Sequence, residues 1–581
     1  MKTLTLPCQR DIEINTEELN VTLKGDELHF SYLGEPSKPV SERFILARSL
    51  LEMDANALVV GDGFQMLAQT AGTISHPLDI GRCPDNSPSY RIYSPQANKR
   101  YYHYLVIEDK DQYHLFGFTS CHRFAGYFEI VTEQQNRYLM AAIDGEQTIP
   151  SQWREQALES LVILQGPSLE AVYQQYADYL CLHHSPRDGV TQKAPIGWCS
   201  WYAYYAEVTE RDIQSNLMAM QGELADLEWV LLDDGYQAFM GDWLTPSDKF
   251  SGGVKALIDK IKAAGKKPAI WLAPFIAQPE SRLFQQHPDW FVKNQQGQPL
   301  KAEEITYGGW RCTPWYLLDG SHPDAQAYLR QVVRTMREEW GIELFKLDAN
   351  YWGTLKGQRY QSGVTGVEAY RMGMQAIAQG AGDAWLLGCN APMWPSLGLV
   401  DAMRVSDDVE RHRGRFGQIA QETFYRSWQH RRLWQIDPDC ATLVSLPDQA
   451  TDNASYQFHR DVLLTCGGLL LSGDPLFKLD AFATQSLKQL ISRQALTQSA
   501  ASFQSLSMNY ARLALSANQQ LHCGFNFTDQ PITLTLKQEQ PAQWYDYWTG
   551  ELLAQAATEV ELSLTCAFTS RVIVSIVATD E

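Results

Sequence analysis

Short runs of alternating hydrophobic and polar residues in the first third of the chain predict β-strands. Runs such as DELHFSYL, RYYHYLVIED and AGYFEIVTE are rich in aromatic and β-branched residues and are separated by turn residues. One amphipathic segment, SLEAVYQQYADYLCLHH, predicts a helix that ends at Pro186. Residues 1–185 are therefore predicted to form an N-terminal β-rich domain, a β-sandwich, with a connector helix.

The pattern changes near residue 195, where strand-like runs begin to alternate with helical periodicity. The eight strand candidates are PIGWCSW, LEWVLLDDGY, KPAIWLAPF, IELFKLDAN, AWLLGCNA, DAMRVSDD, LWQIDPDC and LLLSGDP. Eight strands in this alternation over about 300 residues predict a catalytic (β/α)8 TIM barrel in residues 186–490. A doubly wound open sheet is the alternative, but no phosphate-binding loop occurs and polar residues stand at nearly every strand end.

Strand patterns return from about residue 500, in ARLALSA, LHCGFNFT, ITLTLK, VELSLTC and RVIVSIVA. Residues 491–581 are predicted to form a small C-terminal antiparallel β-sandwich. The predicted fold class is thus multidomain α/β, with a central TIM barrel between two β-domains.

Net charge and cysteine spacing limit the partners and the cellular compartment that the sequence predicts. The net charge is −20 over 581 residues, and no basic block interrupts it, which excludes nucleic acid and anionic membrane as natural partners. The 11 cysteines include no CxxC pair and suggest a reduced chain. The N-terminus lacks the apolar core of a signal peptide, and no 18-residue apolar run occurs. These features predict a cytoplasmic protein and leave a homo-oligomer open.

Candidate catalytic groups collect at the carboxyl ends of the predicted barrel strands, where barrel enzymes hold their active sites. These residues are Trp201, Tyr202, Asp233, Asp234, Trp271, Lys346, Asp348, Cys389, Arg404, Asp407, Asp408, Asp437, Asp439 and Asp474. The absence of HxH and HExxH motifs argues against a metal centre, and no histidine stands at a strand end to serve a serine or cysteine nucleophile. Paired carboxylates suit acetal hydrolysis without metal or cofactor.

Many of these motifs resemble glycoside hydrolase family 36, the microbial α-galactosidases or melibiases. GWCSWY, LLDDGY, GDWL, IWLAPF, HPDWFV, FKLDAN, LLGCNAP, VDAMRVSDD and IDPDC occur in the family's order over residues 190–480. The flanking β-domains also fit the family's architecture. The resemblance implies a retaining glycoside hydrolase that needs no cofactor.

The resemblance also assigns roles to individual residues. Asp348 in FKLDAN matches the nucleophile, and Lys346 on the same strand face matches a residue that contacts ring hydroxyls. Asp233 and Asp234 match a pair that binds the galactose 4- and 6-hydroxyls, although DDG is also a common turn sequence.

Other positions are implied to shape the sugar pocket. Trp201, Tyr202 and Trp271 resemble its walls, and core packing is the alternative for each. Cys389 lies where family members contact the sugar 2-position, and a buried structural thiol fits equally well. Asp437 and Asp439 are expected to support the site without taking part in catalysis.

The acid/base has two candidates. Arg404 followed by Asp408 matches the family pattern of Arg, three residues and the catalytic Asp. In other branches the acid/base follows a serine, and that register selects Asp407. Ungapped matching of VDAMRVSDD favours Asp408. The basic run ERHRGR that follows, residues 410–415, is expected to be a solvated loop, and a place on the leaving-group side of the site is the alternative.

The sequence thus predicts an exo-acting retaining α-galactosidase that acts on small oligosaccharide substrates. An α-N-acetylgalactosaminidase and an α-galactosyl transglycosylase of the same family are alternatives, as is a non-catalytic sugar-binding protein on the same barrel. The presence of both carboxylates argues against the last, because a binding protein needs no nucleophile.

Overall fold

The computed structural model describes residues 2–6, 8 and 10–578. Positions 1, 7, 9 and 579–581, which belong to the predicted terminal domains, lie outside the described residues. The chain divides into two compact units that interleave along the sequence. The first unit comprises Met1–Arg187, Asp234–Asp259 and Ala269–Ala402, and the second comprises Asp188–Asp233, Lys260–Pro268 and Met403–Glu581.

A 13-stranded antiparallel sheet in the first unit confirms the predicted N-terminal β-domain. Its strands are Lys2–Thr5, Asp11–Ile14, Leu19–Lys24, Glu27–Tyr32, Phe44–Leu50, Leu58–Asp62, Gln69–Gly72, Pro77–Asp79, Arg100–Asp109, Gln112–Phe118, Gly126–Glu133, Asn136–Ile143 and Ala157–Gly166. Alternate residues, for example Leu28, Phe30 and Tyr32, are buried in one hydrophobic core. This alternation is the two-residue period expected of a half-buried strand.

The connector helix Leu169–His183 follows this sheet and packs against it. Ser168 begins the helix by accepting a hydrogen bond from the backbone N–H of Ala171. Gly117, in the strand Gln112–Phe118, lets the helix approach, because a Cβ there would lie 2.3 Å from Cε2 of Tyr176.

Eight parallel strands form the nearly closed barrel that the sequence predicts. They are Ile196–Cys199, Trp229–Leu232, Lys267–Leu272, Leu344–Leu347, Trp385–Gly388, Ala402–Arg404, Gln435–Asp437 and Leu470–Ser472. The first seven follow chain order across the sheet, and the eighth pairs with the first. The backbone N–H of Leu469 also donates to the carbonyl of Ile436 at 2.9 Å, which links the seventh and eighth strands. Each of the eight strands lies within one of the eight predicted runs.

Helices separate the barrel strands along the chain. The α-helices of this region are Trp201–Tyr204, Glu210–Ala219, Val254–Ala263, Arg282–Gln286, Ala302–Ile305, Pro323–Thr335, Gly366–Ala381, Arg413–Arg426, Asn453–Cys466 and Ala481–Leu496, and a π-helical turn spans Met336–Trp340. Capping boxes fix the starts of two of them, through Thr209 with Asp212 and Thr365 with Glu368.

A six-stranded antiparallel sheet in the second unit confirms the predicted C-terminal β-domain. Its strands are Ser502–Phe503, Tyr510–Ala514, Gln519–Asn526, Ile532–Asp546, Leu552–Leu564 and Thr569–Val577. Leu536, Trp544, Leu562 and Ile573 form its buried core. A separate two-stranded pair, Ile276–Ala277 with Tyr316–Leu317, lies in the first unit. Among the described helices, none is long and apolar enough to cross a membrane.

Candidate active site

The predicted nucleophile, Asp348, directly follows the fourth barrel strand in the first unit. The residue is 7% exposed, and three donors hold its carboxylate. Trp271 Nε1 donates to Oδ2 at 2.9 Å, while Asn390 Nδ2 and the backbone N–H of Ala349 donate to Oδ1 at 2.9 and 2.7 Å. Because both oxygens accept hydrogen bonds, the carboxylate has a fixed orientation at the strand end.

Two further predicted residues are buried on neighbouring strands of the same unit. Lys346 precedes Asp348 by two residues, so both side chains leave the strand on one face. Cys389 follows the fifth strand, is buried, and donates its backbone N–H to the carbonyl of Leu347 at 2.8 Å. With Trp271, these residues form one cluster at the ends of the third, fourth and fifth strands.

Asp234 carries an ion pair that the sequence analysis did not anticipate. Arg311 Nε donates to Oδ2 of Asp234 at 2.6 Å, and Arg311 Nη2 donates to Oδ1. Gln237 Nε2 also donates to Oδ1, at 2.6 Å. Arg311 lies 77 residues further along the chain, in the segment GGWRCTPW, where an arginine among aromatic residues is the only sequence signal. Asp234 is therefore a buried charge-paired acceptor, and not only a turn residue.

Asp233 belongs to the second unit and follows the second barrel strand. Its side chain is buried, and Oδ2 lies 3.5 Å from the Sγ of Cys199. Its backbone N–H donates to Oγ of Ser200 at 2.9 Å. Cys199 ends the first strand and Ser200 follows it, so these contacts tie the ends of the first two strands together.

Trp201 and Tyr202 form the start of the short helix after the first strand. Tyr202 is buried, and its hydroxyl donates to Oδ2 of Asp439. Burial, followed by the charges of Asp408 and Asp439, raises the pKa of Tyr202 well above its ordinary value. Trp201 is half-buried and packs edge-on against Tyr205, with 5.3 Å between ring centroids. Tyr202 thus remains a neutral hydrogen-bond donor.

Arg404 links the predicted acid/base to Asp439 in the second unit. Its buried Nη2 lies 2.8 Å from Oδ1 of Asp408 and 2.7 Å from Oδ2 of Asp439. Asp439 also accepts hydrogen bonds from the backbone N–H groups of Val409 and Cys440, at 2.8 and 2.7 Å. Asp439 therefore holds the Arg404 guanidinium beside Asp408.

Asp407 and Asp408 differ sharply in their surroundings. The Asp408 side chain is 51% exposed, whereas that of Asp407 is 5% exposed. Asp407 Oδ2 accepts from Arg415 Nη1 at 2.5 Å and from Gln418 Nε2 at 3.1 Å. Burial, together with the charge of Asp407, raises the pKa of Glu422 to about 7. Asp407 is thus enclosed by partners, and Asp408 is accessible.

The expectation that residues 410–415 form a solvated loop is wrong. Arg411 is buried, and its Nη2 lies 2.7 Å from Oδ1 of Asp474 at the end of the eighth strand. Arg415 is buried against Asp407, and Arg413 donates to the carbonyl of Ala567 at 2.7 Å. The run is basic because it neutralises buried carboxylates.

In the described part of the chain, no group of three or more His, Cys, Asp or Glu side chains is arranged to hold a metal ion.

Comparison with known proteins finds similar sequences among alpha-galactosidases. The Melibiase family model matches residues 157–379. A bifunctional alpha-galactosidase/sucrose kinase of Mediterraneibacter gnavus is 24% identical over 199 residues, 33% of this chain and 20% of that protein. An alpha-galactosidase of Escherichia coli is 27% identical over 140 residues, 23% of this chain and 18% of its own length. The chain therefore spans about a fifth of the length of these curated relatives.

Solved structures resemble the chain over most of its length. The alpha-galactosidase of Thermus thermophilus, solved with p-nitrophenyl alpha-D-galactopyranoside, has a TM-score of 0.66 at 20% identity and covers 89% of this chain and 97% of its own. The GH36 alpha-galactosidase AgaA of Geobacillus stearothermophilus has a TM-score of 0.64 at 15% identity and covers 98% of this chain and 82% of its own. At these identities the likeness establishes the fold.

Proposed function

The chain belongs to the melibiase group of glycoside hydrolase family 36, and from this membership we propose that it is a retaining, exo-acting α-galactosidase. It removes terminal α-linked galactose from small oligosaccharides such as melibiose or raffinose. The reaction is a double displacement through a covalent galactosyl-enzyme.

In the proposed first half-reaction, Asp348 attacks the anomeric carbon while Asp408 protonates the departing oxygen. In the second, Asp408 removes a proton from the attacking water. The hydrogen bonds from Trp271, Asn390 and Ala349 support the role of Asp348, because they hold a carboxylate ready without an adjustment of its orientation.

The observation that carries the proposal is the contrast between the two neighbouring aspartates. An acid/base must exchange protons with the leaving group and with water, so it needs an accessible carboxyl. Asp408 is half-exposed beside Arg404, whereas Asp407 is buried against Arg415 and Gln418. This contrast supports Asp408.

The remaining predicted residues are proposed to bind the sugar. Asp233 and Asp234 accept hydrogen bonds from galactose hydroxyls, Lys346 contacts ring hydroxyls, and Cys389 lies toward the 2-position. The proposed walls and supports are Trp201, Tyr202, Trp271 and Arg404. Arg311 joins this set, since its two hydrogen bonds to Asp234 fix the orientation of that carboxylate at the end of the second strand.

The acid/base assignment is tested with leaving groups of different acidity. Asp408→Ala removes the proton donor, so we expect a far greater loss of activity on raffinose than on a dinitrophenyl galactoside, whose phenol departs without protonation. Azide, a nucleophile that needs no base, should restore turnover and give α-galactosyl azide, because two displacements retain configuration. Asp407→Ala is the matched control and should show no azide rescue. Rescue in the Asp407 variant alone would reverse the assignment.

Stereochemistry tests the nucleophile. Two carboxyl groups that act as nucleophile and acid/base in a retaining enzyme stand about 5–5.5 Å apart, and the first sugar released is the α-anomer. Proton NMR of early hydrolysis should therefore show α-galactose. Release of β-galactose would exclude double displacement through Asp348.

An α-N-acetylgalactosaminidase is the second candidate function. It is favoured by one relative, the A type blood alpha-D-galactosamine galactosaminidase of Flavonifractor plautii, which is 24% identical over 236 residues. Rates on nitrophenyl α-galactoside and on its N-acetyl analogue separate the two activities. Mass spectrometry after treatment with an activated fluoro-galactoside separates both from a non-catalytic sugar-binding protein, which forms no covalent adduct.

A further inference from the structure

The first unit contains a cavity of about 390 Å³ between loops of the N-terminal β-domain and the loop after the fourth barrel strand. Its size lies in the range of small-ligand sites. Residues that line it include Phe64, Tyr90, Tyr93, Tyr102, Tyr351 and Lys356. None of the residues proposed for catalysis or galactose binding is among its lining residues.

Five aromatic rings form one continuous wall of this cavity. Phe64 lies 5.5 Å from Tyr102 and 6.2 Å from Tyr351 between ring centroids. Tyr90 lies 5.5 Å from Tyr351, and Tyr93 lies 6.4 Å from Tyr102. Each ring is largely buried and packs against at least one other ring of the wall. Aromatic faces of this kind pack against the apolar C–H face of a pyranose.

The polar lining of the cavity is close to neutral in charge. Lys356 Nζ lies 2.7 Å from Oδ2 of the buried Asp144, which makes a compensated ion pair. Burial raises the pKa of Glu146 to about 7, although the charge of Lys356 opposes this shift. The Glu146 carboxyl is therefore partly protonated near neutral pH, and its Oε2 accepts the backbone N–H of Gly366. Such a lining favours a neutral hydroxylated ligand over an anion or a cation.

Strained backbone shapes the cavity. Arg91 and Glu146, which both line it, have left-handed φ angles of 52° and 50°. The surrounding structure holds them in place: Arg91 Nη2 donates to the carbonyls of Glu303 and Thr306 at 3.1 and 2.7 Å, and Glu146 accepts from the backbone N–H of Gly366 at 2.9 Å. Strained non-glycine residues of this kind concentrate at ligand sites.

The cavity wall is joined to the support of Asp348. Tyr351 lies in the single helical turn Asn350–Thr354 that follows Asp348. Its backbone N–H donates to the carbonyl of Asn390 at 2.7 Å, and Asn390 Nδ2 donates to Oδ1 of Asp348 at 2.9 Å. A ligand that contacts Tyr351 therefore touches a turn that is hydrogen-bonded to Asn390, one of the donors to Asp348.

We propose that this cavity is a second saccharide-binding site, which takes a neutral pyranoside from the substrate or its products. The choice of galactosyl saccharides as ligands rests on the proposed function. The aromatic wall, the neutral polar lining and the strained backbone at Arg91 and Glu146 are independent of it.

Calorimetric titration with raffinose tests the site in the full chain, with Asp348→Asn present to prevent hydrolysis. We expect two binding events. Ser94 is an exposed lining residue whose hydroxyl donates to the side chain of Gln96 at 2.7 Å, and Ser94→Trp should fill the cavity and weaken one event at least tenfold. Ser516→Trp is the matched control, because the exposed Ser516 likewise donates to the side chain two residues on, Asn518, at 2.9 Å. The control should keep both events.

Crystals of the same Asp348→Asn protein soaked in raffinose should show sugar density against Tyr90 and Tyr351. A single binding event that Ser94→Trp leaves unchanged would overturn the second site. A third outcome is that the protein binds tetramethylammonium and not raffinose, and that Ser94→Trp abolishes this binding. That outcome would overturn the saccharide site and identify the cavity as an aromatic cage for cations. Hydrolysis of nitrophenyl α-galactoside by the unmodified protein is measured separately, so a failure of the proposed activity is distinguished from a failure of this site.

Discussion

At the scale of single residues, identical side chains one position apart acquire different chemistry from their surroundings. Asp407 lies inside a buried cluster with Arg415, Gln418 and Glu422. Its Oδ2 accepts from Arg415 and Gln418, and its Oδ1 accepts from the backbone N–H of the next residue. Asp408 shares one hydrogen bond with Arg404 and leaves half of its side chain open to solvent. The first arrangement pairs a carboxylate with a buried cation, and the second leaves a carboxyl accessible to solvent.

This difference predicts opposite effects of two matched substitutions. Asp407→Asn leaves the buried Arg415 short of its closest counter-charge, so we expect a loss of unfolding free energy on the order of 3 kcal/mol. Asp408→Asn removes a half-exposed partner and should cost less than about 1 kcal/mol, while hydrolysis of raffinose is lost. Urea denaturation and activity are measured on both variants. Equal losses of stability would contradict the distinction.

At the scale of elements, the turn between the helix Arg413–Arg426 and the seventh barrel strand depends on a neutral histidine. The ring of His430 is buried, its Nε2 lies 2.7 Å from the carbonyl of Gln498, and its Nδ1 accepts the backbone N–H of Ile436 at 3.2 Å. Nδ1 can accept this hydrogen bond only while it is unprotonated. Burial accordingly lowers the pKa of His430 to about 3.

His430 should therefore make the stability of this turn depend on pH. Its pKa in the folded state lies below the unfolded value of about 6.5, so protons bind preferentially to the unfolded chain. The contribution is complete above pH 6.5 and is lost as the pH falls toward 3, by an amount on the order of 5 kcal/mol. His430→Gln, which keeps a donor and an acceptor, should flatten the fall in the urea midpoint between about pH 6.5 and pH 4.

The matched control for this prediction is His412→Gln, at an exposed histidine just before the same helix. This variant should keep the pH dependence of the unmodified protein. An equal flattening in both variants would show that the His430 ring does not control the turn.

At the scale of the whole molecule, the net charge of −20 governs its interactions with polyelectrolytes. Phosphate backbones and anionic lipid surfaces repel such a chain, because binding to them depends on clustered lysine and arginine. In addition, several arginines are buried and paired with carboxylates, as Arg411 and Arg415 are, so they add no positive charge to the surface. At low ionic strength and pH 7, we expect retention on an anion exchanger and passage through a heparin column. Retention on heparin would reveal a basic surface that the composition conceals.

The sequence by itself determined the order and type of the main elements and the resemblance to a family. The eight barrel strands lie where short apolar runs end in polar residues, from Ile196–Cys199 to Leu470–Ser472. Periodicity and the residues that close a strand or helix are local properties of the chain, so they can be read without the fold. The motifs that carry the family resemblance are equally local, since each spans less than about ten residues.

The tertiary structure alone decided which charged groups are paired and which remain accessible. Arg311 reaches Asp234 from 77 residues away, and Arg411 and Arg415 turn inward from a run whose sequence is typical of a solvated loop. The aromatic cavity joins Tyr90 and Tyr351, which no local pattern relates. The burial of a charged side chain and the identity of its ion-pair partner depend on segments that meet only when the chain is folded. Desolvation in the folded interior requires a buried carboxylate or arginine to be paired, whereas an exposed one has no such requirement.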